Sequence, residues 1–179
     1  MENNEQEIIY GSFKYDLGRL YIAATDKGLC FVSSLNEPLS ELEVWMTKAY
    51  PKAVLVEDMA KLQHYHQQIL EYFNGTRITF TFPLDINGTL FQQKVWHVLN
   101  DIPYGETRYY GEIAAEIGQP NSFRAVGTAI GRNPVLIVVP CHRVIHKNGK
   151  LAGYRGKLEM KEKLLNLEKY TRATGLANN

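Results

Sequence analysis

The stretch YGEIAAEIGQPNSFRAVGTAIG, Tyr110–Gly131, decides the architecture of this 179-residue chain. Ile113, Ala114 and Ile117 recur at helical spacing over 110–117, and Gly118 supplies a C-terminal stop. After Gly118-Gln119-Pro120-Asn121, Ser122 is placed to cap a second helix running through about residue 131, with Val126 and Ile130 inward. Two helices joined by a tight, glycine-containing turn form a helix-turn-helix. Many α-hairpins share that outline, so the outward residues matter. Arg124, Ala125, Thr128 and Ala129 are predicted on the exposed face of the second helix. Side chains that small let a helix sit deep in a groove, leaving Arg124 for a phosphate or a base.

Directly downstream lies the apolar run Val135-Leu136-Ile137-Val138-Val139, which reads as a buried strand, followed by Pro140-Cys141-His142-Arg143-Val144. Proline blocks further ladder pairing and turns the chain out before the cysteine. A thiol becomes a good nucleophile on deprotonation, which a neighbouring base promotes. Taken alone, Cys141 reads equally well as a small buried hydrophobe. Val144-Ile145-His146 and Leu151-Ala152-Gly153 flank Lys147-Asn148-Gly149-Lys150, a hairpin signal whose lysines suit a wing touching phosphates. A last helix is expected over 157–169, carrying Leu158, Leu164, Leu165 and Leu167, with a frayed tail after Tyr170.

Upstream, Thr89-Leu90-Phe91-Gln92 matches a capping box opening a helix with the apolar stripe Phe91, Val95, Val98, Leu99 and Ile102, ended by Pro103. Trp96 on that helix is read as packing. Residues 79–88 form an extended connector. Before it, strand patterns at 13–20, 20–24 and 29–32 are separated by the turn signals Asp16-Leu17-Gly18 and Thr25-Asp26-Lys27-Gly28. Helices follow at 39–49, stopped by Pro51, and at 58–73, with Met59, Leu62, Tyr65, Ile69 and Phe73 on one face. His64 and His66, two apart on that helix, do not share a face and read as solvated. Cys30 reads as core.

The net charge of +1 conceals an asymmetry: residues 1–85 carry −5 and residues 86–179 carry +6. A basic half suits a polyanion, although it also serves as a solubilising surface. Hydrophobic residues at 45% suffice for a core, and no apolar stretch approaches the ~20 residues that span a bilayer. The N-terminus is acidic and polar, unlike a signal peptide. Two cysteines make no disulfide framework. A soluble, cytoplasmic, monomeric protein is expected.

From Phe91 to Glu168 the chain resembles the O6-alkylguanine-DNA alkyltransferases, the methylated-DNA–protein-cysteine methyltransferases. The matching residues are Phe91 to Trp96, Ile102 to Thr107, Tyr110 to Ala114, Arg124 to Gly127, Asn133-Pro134, Pro140 to Val144, Gly153-Tyr154, and Lys161 through Leu164-Leu165 to Glu168. Asp16 to Leu20 and Ala23 to Cys30 also resemble the small N-terminal domain of free-standing bacterial members. The resemblance implies an α/β (α+β) protein: an N-terminal sheet-plus-helix domain at 1–85, a mainly helical, winged helix-turn-helix-like catalytic domain at 86–170, and a tail at 171–179. It implies direct repair, with the alkyl group of O6-alkylguanine in double-stranded DNA passing irreversibly to Cys141 after base flipping. O4-alkylthymine is a further candidate substrate.

An unperturbed thiol is only about 3% thiolate at pH 7, so a base should help. The resemblance assigns this to His142, acting through a water and oriented by Glu168, with Asn133 stabilising the turn that carries the cysteine. Arg124 would fill the gap left by the flipped base. Tyr110 would crowd the phosphate and reach guanine N3, Tyr154 would line the pocket, and the backbone N–H of Arg155 would face O6. The helix-turn-helix of the family enters the minor groove.

Two departures stand out. Where many members read Gly-Tyr-x-Gly-Gly-Leu, this chain reads Gly153-Tyr154-Arg155-Gly156-Lys157-Leu158, which adds charge expected at the pocket rim. Some members hold zinc in the N-terminal domain, but Cys30, His64 and His66 do not reproduce that ligand set, so no metal or cofactor is expected. Alkyltransferase-like proteins, which bind lesions without repairing them, lack the cysteine that is present here. An unrelated Cys141–His142 hydrolase would leave the helix-turn-helix unexplained.

Overall fold

The protein is described from a computed structural model covering residues 6–16, 18–151 and 153–175. Leu17 of the first expected turn, Ala152 of the expected hairpin and the two chain ends lie outside these residues. Strands β1 (Glu7–Tyr15), β2 (Gly18–Thr25), β3 (Gly28–Val32) and β4 (Val54–Glu57) form one sheet in the order β3-β2-β1-β4. The first three run antiparallel as a meander, and β4 joins β1 in parallel. β4 was not anticipated: four residues of mixed burial give too little alternation to read. Helix α1 (Ser40–Ala49) leads toward it, and helix α2 (Gln63–Phe73), entered through a 3₁₀ turn at Met59–Leu62, packs the other face. Tyr65, Ile69, Tyr72 and Phe73 are its buried residues. His64 is exposed as expected, whereas His66 is half-buried against Phe13, with ring centroids 4.4 Å apart.

The outer edge of β3 is where the second half docks. Connector residues pair with it through Leu29 N–H to Pro83 O (3.0 Å) and Asp85 N–H to Leu29 O (2.9 Å). Further along, Val32 N–H donates to Pro134 O at 3.0 Å. An unpaired edge invites aggregation, and here the connector and the segment at Pro134 cover it.

The second half is built on α3 (Leu90–Asn100), α4 (Tyr110–Glu116), α5 (Phe123–Gly131) and α6 (Lys157–Thr174). The Thr89–Gln92 capping box is present, with both reciprocal hydrogen bonds made. Ser122 makes no side-chain cap bond; its hydroxyl turns back to Gln119 at 3.2 Å. Trp96 packs as expected, its indole N–H donating to Ala129 O at 2.9 Å. Among the described residues no hairpin follows the cysteine motif. β6 (Val144–Ile145) instead pairs in parallel with β5 (Arg108–Tyr109), and the Asn148-Gly149 turn is closed by His146 N–H to Lys150 O at 3.1 Å. The last helix continues past Tyr170 to Thr174, where Gly175 ends it in the left-handed conformation. No helix among the described residues is long and apolar enough to cross a membrane.

The expected strand at 135–139 is absent. Asn133 takes the backbone groups a ladder would use: its Oδ1 accepts from Val135 N–H at 2.9 Å, and its Nδ2 donates to Val139 O at 3.0 Å. Val138 N–H closes a three-residue turn onto Leu136 O (2.8 Å), with Ile137 at φ +74°. Cys141 N–H closes a second onto Val139 O (2.8 Å), around Pro140 at φ −81° and ψ 55°. These are γ-turns of the strained and the relaxed kind, in that order. Composition alone does not separate this compact apolar turn from a buried strand.

Candidate active site

Those two turns deliver Cys141 onto a 3₁₀ turn, Cys141–Arg143, with the thiol 2% exposed. Asn133 Nδ2 lies 3.1 Å from its sulfur, so the side chain that shapes the turn also touches the thiol. Burial pushes the thiol pKa up; the Asn133 hydrogen bond and the charges of Arg155 and Lys161 oppose the rise. The resting sulfur is therefore a thiol, in surroundings that favour its anion once a base takes the proton.

Behind it, His142 is fully buried and its Nε2 lies 2.7 Å from Glu168 Oε1. Burial lowers the imidazole pKa against the opposing pull of Glu168, which leaves the ring neutral near pH 7. Nε2–H then donates to the carboxylate. Nδ1 is the nitrogen with a free lone pair, and it is buried without a protein partner among the described residues. Burial would raise the Glu168 carboxyl, but hydrogen bonds and charge from His142 and Arg143 outweigh it and hold the group at about 2. Arg143 grips it with Nε at 2.9 Å from Oε2 and Nη2 at 2.9 Å from Oε1, while Gly105 N–H donates to Oε2 at 2.9 Å. A buried carboxylate is tolerable only when paired and fully hydrogen-bonded in this way.

Helix α6 supplies a second buried charge. Lys161 Nζ donates to Val144 O at 2.6 Å, and burial lowers its pKa to about 8, with the nearby thiol opposing. Met160, Lys161, Leu164, Glu168 and Thr171 are the buried residues of α6. Two charged residues on an otherwise inward stripe are a signal legible in sequence, yet Lys161 carried no expected role. Arg143 and Tyr72 were likewise missed. Tyr72 was not among the residues expected on the apolar face of α2, and the structure buries it there.

Tyr110 and Tyr154 stand near Cys141, and the pKa of each is raised, first by burial and then by the neighbouring sulfur. Tyr154 is 9% exposed. Gly156 has no room for a side chain, since an added Cβ would meet the Tyr154 ring at 2.4 Å and Met160 sulfur at 2.6 Å. On α5, Arg124, Ala125 and Thr128 are exposed as expected. Ala129 is not: at 2% exposure it faces inward beneath Trp96, one turn past the inward Val126. The outward aromatic is Phe123, 51% exposed, with the Arg124 guanidinium 5.9 Å from its ring centroid.

Arg155 also departs from expectation. Its guanidinium leaves the pocket rim for the sheet half, donating to Val32 O (2.6 Å), Pro134 O (3.0 Å), Asn133 O (3.0 Å) and Glu41 Oε1 (2.7 Å). Lys157 likewise turns away, to Glu37 at 2.5 Å. Cys30 is buried, its thiol donating to Ala23 O at 3.3 Å and pushed up to about 12, first by burial. Among the described residues no three His, Cys, Asp or Glu side chains converge as a metal site would require.

A buried thiol backed by a neutral imidazole and set beside a helix-turn-helix defines a class: proteins that present a cysteine nucleophile from within a DNA-docking unit. Two family models match the chain in order, the 6-O-methylguanine DNA methyltransferase ribonuclease-like domain over residues 8–86 and its DNA binding domain over residues 90–170. The inducible methylated-DNA–protein-cysteine methyltransferase of Bacillus subtilis is 51% identical over 169 residues, 94% of each chain. The Methanosarcina acetivorans methylated-DNA–protein-cysteine methyltransferase is 42% identical over 89% of this chain and 97% of its own. Among solved structures, the Mycobacterium tuberculosis O6-methylguanine methyltransferase superposes with a TM-score of 0.79 at 40% identity, covering 92% of this chain and 94% of its own. The M. tuberculosis protein in complex with DNA gives 0.77 at 39% identity, covering 91% and 94%. The chain belongs to the methylated-DNA–protein-cysteine methyltransferase family.

Proposed function

We infer that this protein repairs DNA directly, moving the alkyl group of O6-alkylguanine onto Cys141. The observation that carries the reading is the sequence of contacts from Asn133 to the Cys141 sulfur (3.1 Å) and, behind it, from His142 to Glu168 (2.7 Å). His142 Nδ1, through a water, takes the thiol proton, and Glu168 stabilises the imidazolium that forms, following the logic of a catalytic triad. The sulfur attacks the O6-bound carbon in line, the C–O bond breaks, and its electron pair returns to the purine. Proton donation by the Tyr110 hydroxyl toward guanine N3 improves that leaving group. The new thioether is stable, so each molecule acts once.

The guanine reaches a buried sulfur only by leaving the stack, which costs a few kcal/mol. Arg124, exposed on α5, is the residue to fill the gap; Ala125 and Thr128 leave the helix room to approach DNA, and Tyr154 lines the pocket. The backbone N–H of Arg155 faces O6 while its side chain holds the sheet half. The same reading divides the chain near residue 85 into a sheet domain and an alkyl-transfer domain, and places it in a reducing, cytoplasmic compartment, in keeping with two unpaired thiols.

The test is incubation with a duplex carrying O6-methylguanine, followed by mass analysis of the peptide containing Cys141. One methyl group on that peptide, and none after Cys141→Ala, is expected. Tight binding to the lesion with Cys141 unmodified would sink the reading in favour of lesion recognition alone.

A further inference from the structure

Tyr72 is the largest fully buried side chain among the described residues, and the alkyl-transfer steps above make no use of it. It belongs to α2, in the sheet half, and reaches across to the His142–Glu168 pair. Its hydroxyl donates to Glu168 Oε1 at 2.6 Å and lies 3.4 Å from His142 Nε2. We propose that Tyr72 is a positioning residue for the alkyl transfer, acting through Glu168 to set how strongly the carboxylate supports protonation of His142. The proposal rests on the function inferred above and extends it to a residue outside the helix-turn-helix half.

A buried tyrosine hydroxyl needs some partner, and a purely structural role would be met by any acceptor. Three features point further. The 2.6 Å distance is that of a strong hydrogen bond to an ionised acceptor. Tyr72 shares its oxygen with the catalytic pair: Oε1 also takes His142 Nε2 at 2.7 Å and Arg143 Nη2 at 2.9 Å, so the donors compete for one atom. The tyrosine ring is also fixed, with Phe80 and Tyr104 ring centroids at 5.6 and 5.7 Å. A rigid donor on a shared acceptor is a means of tuning basicity as well as of filling space.

The sign follows from the competition. Tyr72 withdraws negative charge from Oε1, which weakens the carboxylate's support for an imidazolium and holds the His142 pKa down. Removing the hydroxyl strengthens the Glu168–His142 interaction and raises that pKa. The groups facing His142 are Glu168 and Lys161 from α6, Arg143 and Cys141 from its own turn, Tyr154 from the segment before α6, Tyr72 from α2, and Tyr104, which borders Tyr72 and Arg143. Of these, Tyr72 is the tyrosine whose hydroxyl donates to the Glu168 oxygen that His142 uses, and that hydroxyl can be removed without taking away a charge or the nucleophile.

The experiment measures the single-turnover rate of methyl transfer to Cys141 from an O6-methylguanine duplex across pH 5–9, for the wild type and for Tyr72→Phe. The expected result is full eventual methylation in both, with the acid limb of the Tyr72→Phe profile moved to higher pH by roughly half a unit or more. On the acid side of the His142 transition the rate should then fall by up to about threefold for a half-unit shift. In a second protein, 3-fluorotyrosine at position 72 keeps the ring and makes the hydroxyl a stronger donor, so its acid limb should move to lower pH. This arm also serves if Tyr72→Phe folds poorly. A lowered melting temperature with superposable pH profiles would overturn the proposal, leaving Tyr72 a structural hydroxyl. So would a shift of both variants in the same direction. Failure of the wild type to methylate Cys141 would instead strike at the inferred function, so the two failures are distinguishable.

Discussion

Lys157 sits at φ +70°, a left-handed conformation that costs an ordinary side chain but not glycine. In the family pattern quoted for this stretch the position is the last glycine of Gly-Tyr-x-Gly-Gly-Leu, and the backbone explains that choice. Lys157 keeps the glycine conformation and gains an exposed ion pair with Glu37, a contact of the kind that contributes little in water. Lys157→Gly should therefore raise the melting temperature by a few degrees, as read by calorimetry, with the rate of Cys141 methylation unchanged. A fall in melting temperature would mean that the Glu37 contact outweighs the backbone strain. The neighbouring Gly156 is constrained differently, by the Tyr154 ring and Met160 sulfur that crowd its missing Cβ. Residue identity made both glycine-pattern positions visible in the sequence. Neither reason was, because φ and packing are properties of the folded chain.

At the scale of elements, periodicity served the helices well and the cysteine-bearing turn poorly. The stripes of α3 and α5 and the capping box at Thr89 were legible because each repeats within a few residues. Ala129 was misplaced by a single helical position, the error that arises when a nine-residue helix is phased from two apolar residues. The run 135–139 was misread because its geometry is dictated by Asn133, a polar residue outside the run. Asn133 Nδ2 and Oδ1 hold Val139 O and Val135 N–H, and so maintain the strained φ at Ile137. Asn133→Ala would leave the buried Val135 N–H without this acceptor and take one of two donors from Val139 O. The expected cost is about 2–4 kcal/mol in urea denaturation. Methylation of Cys141 should slow at least tenfold as well, because the sulfur loses its 3.1 Å donor and its fixed mount. Loss of stability with an unchanged rate would show that the asparagine supports the turn without acting on the thiol.

Across the whole molecule, the two halves meet through polar contacts that no local pattern announces. Tyr72 and Glu168 are 96 residues apart in sequence, and Arg155 and Glu41 are 114 apart. A single sequence carries no trace of such pairs beyond an unremarkable tyrosine and an arginine in an unusual place. The charge asymmetry between halves did point to an acidic partner for the basic half, and Arg155–Glu41 shows that part of the complementarity is internal. The Arg155 guanidinium bonds the carbonyls of Val32, Pro134 and Asn133 while pairing with Glu41, joining the edge of β3, the start of the Cys141-bearing turn and helix α1. Arg155→Ala leaves three carbonyls and a carboxylate without these donors, and should cost about 2–4 kcal/mol. Arg155→Lys should recover little of it, since one ammonium cannot span four acceptors in a planar fork. Because the bonds tie the β3 edge to the turn, the loss should appear in both halves at once. Hydrogen exchange in Arg155→Ala should accelerate at Val32 N–H, which pairs with Pro134, and at Val139 and Cys141 in the turn. Acceleration confined to the turn would mean that the sheet half holds its edge without help from Arg155.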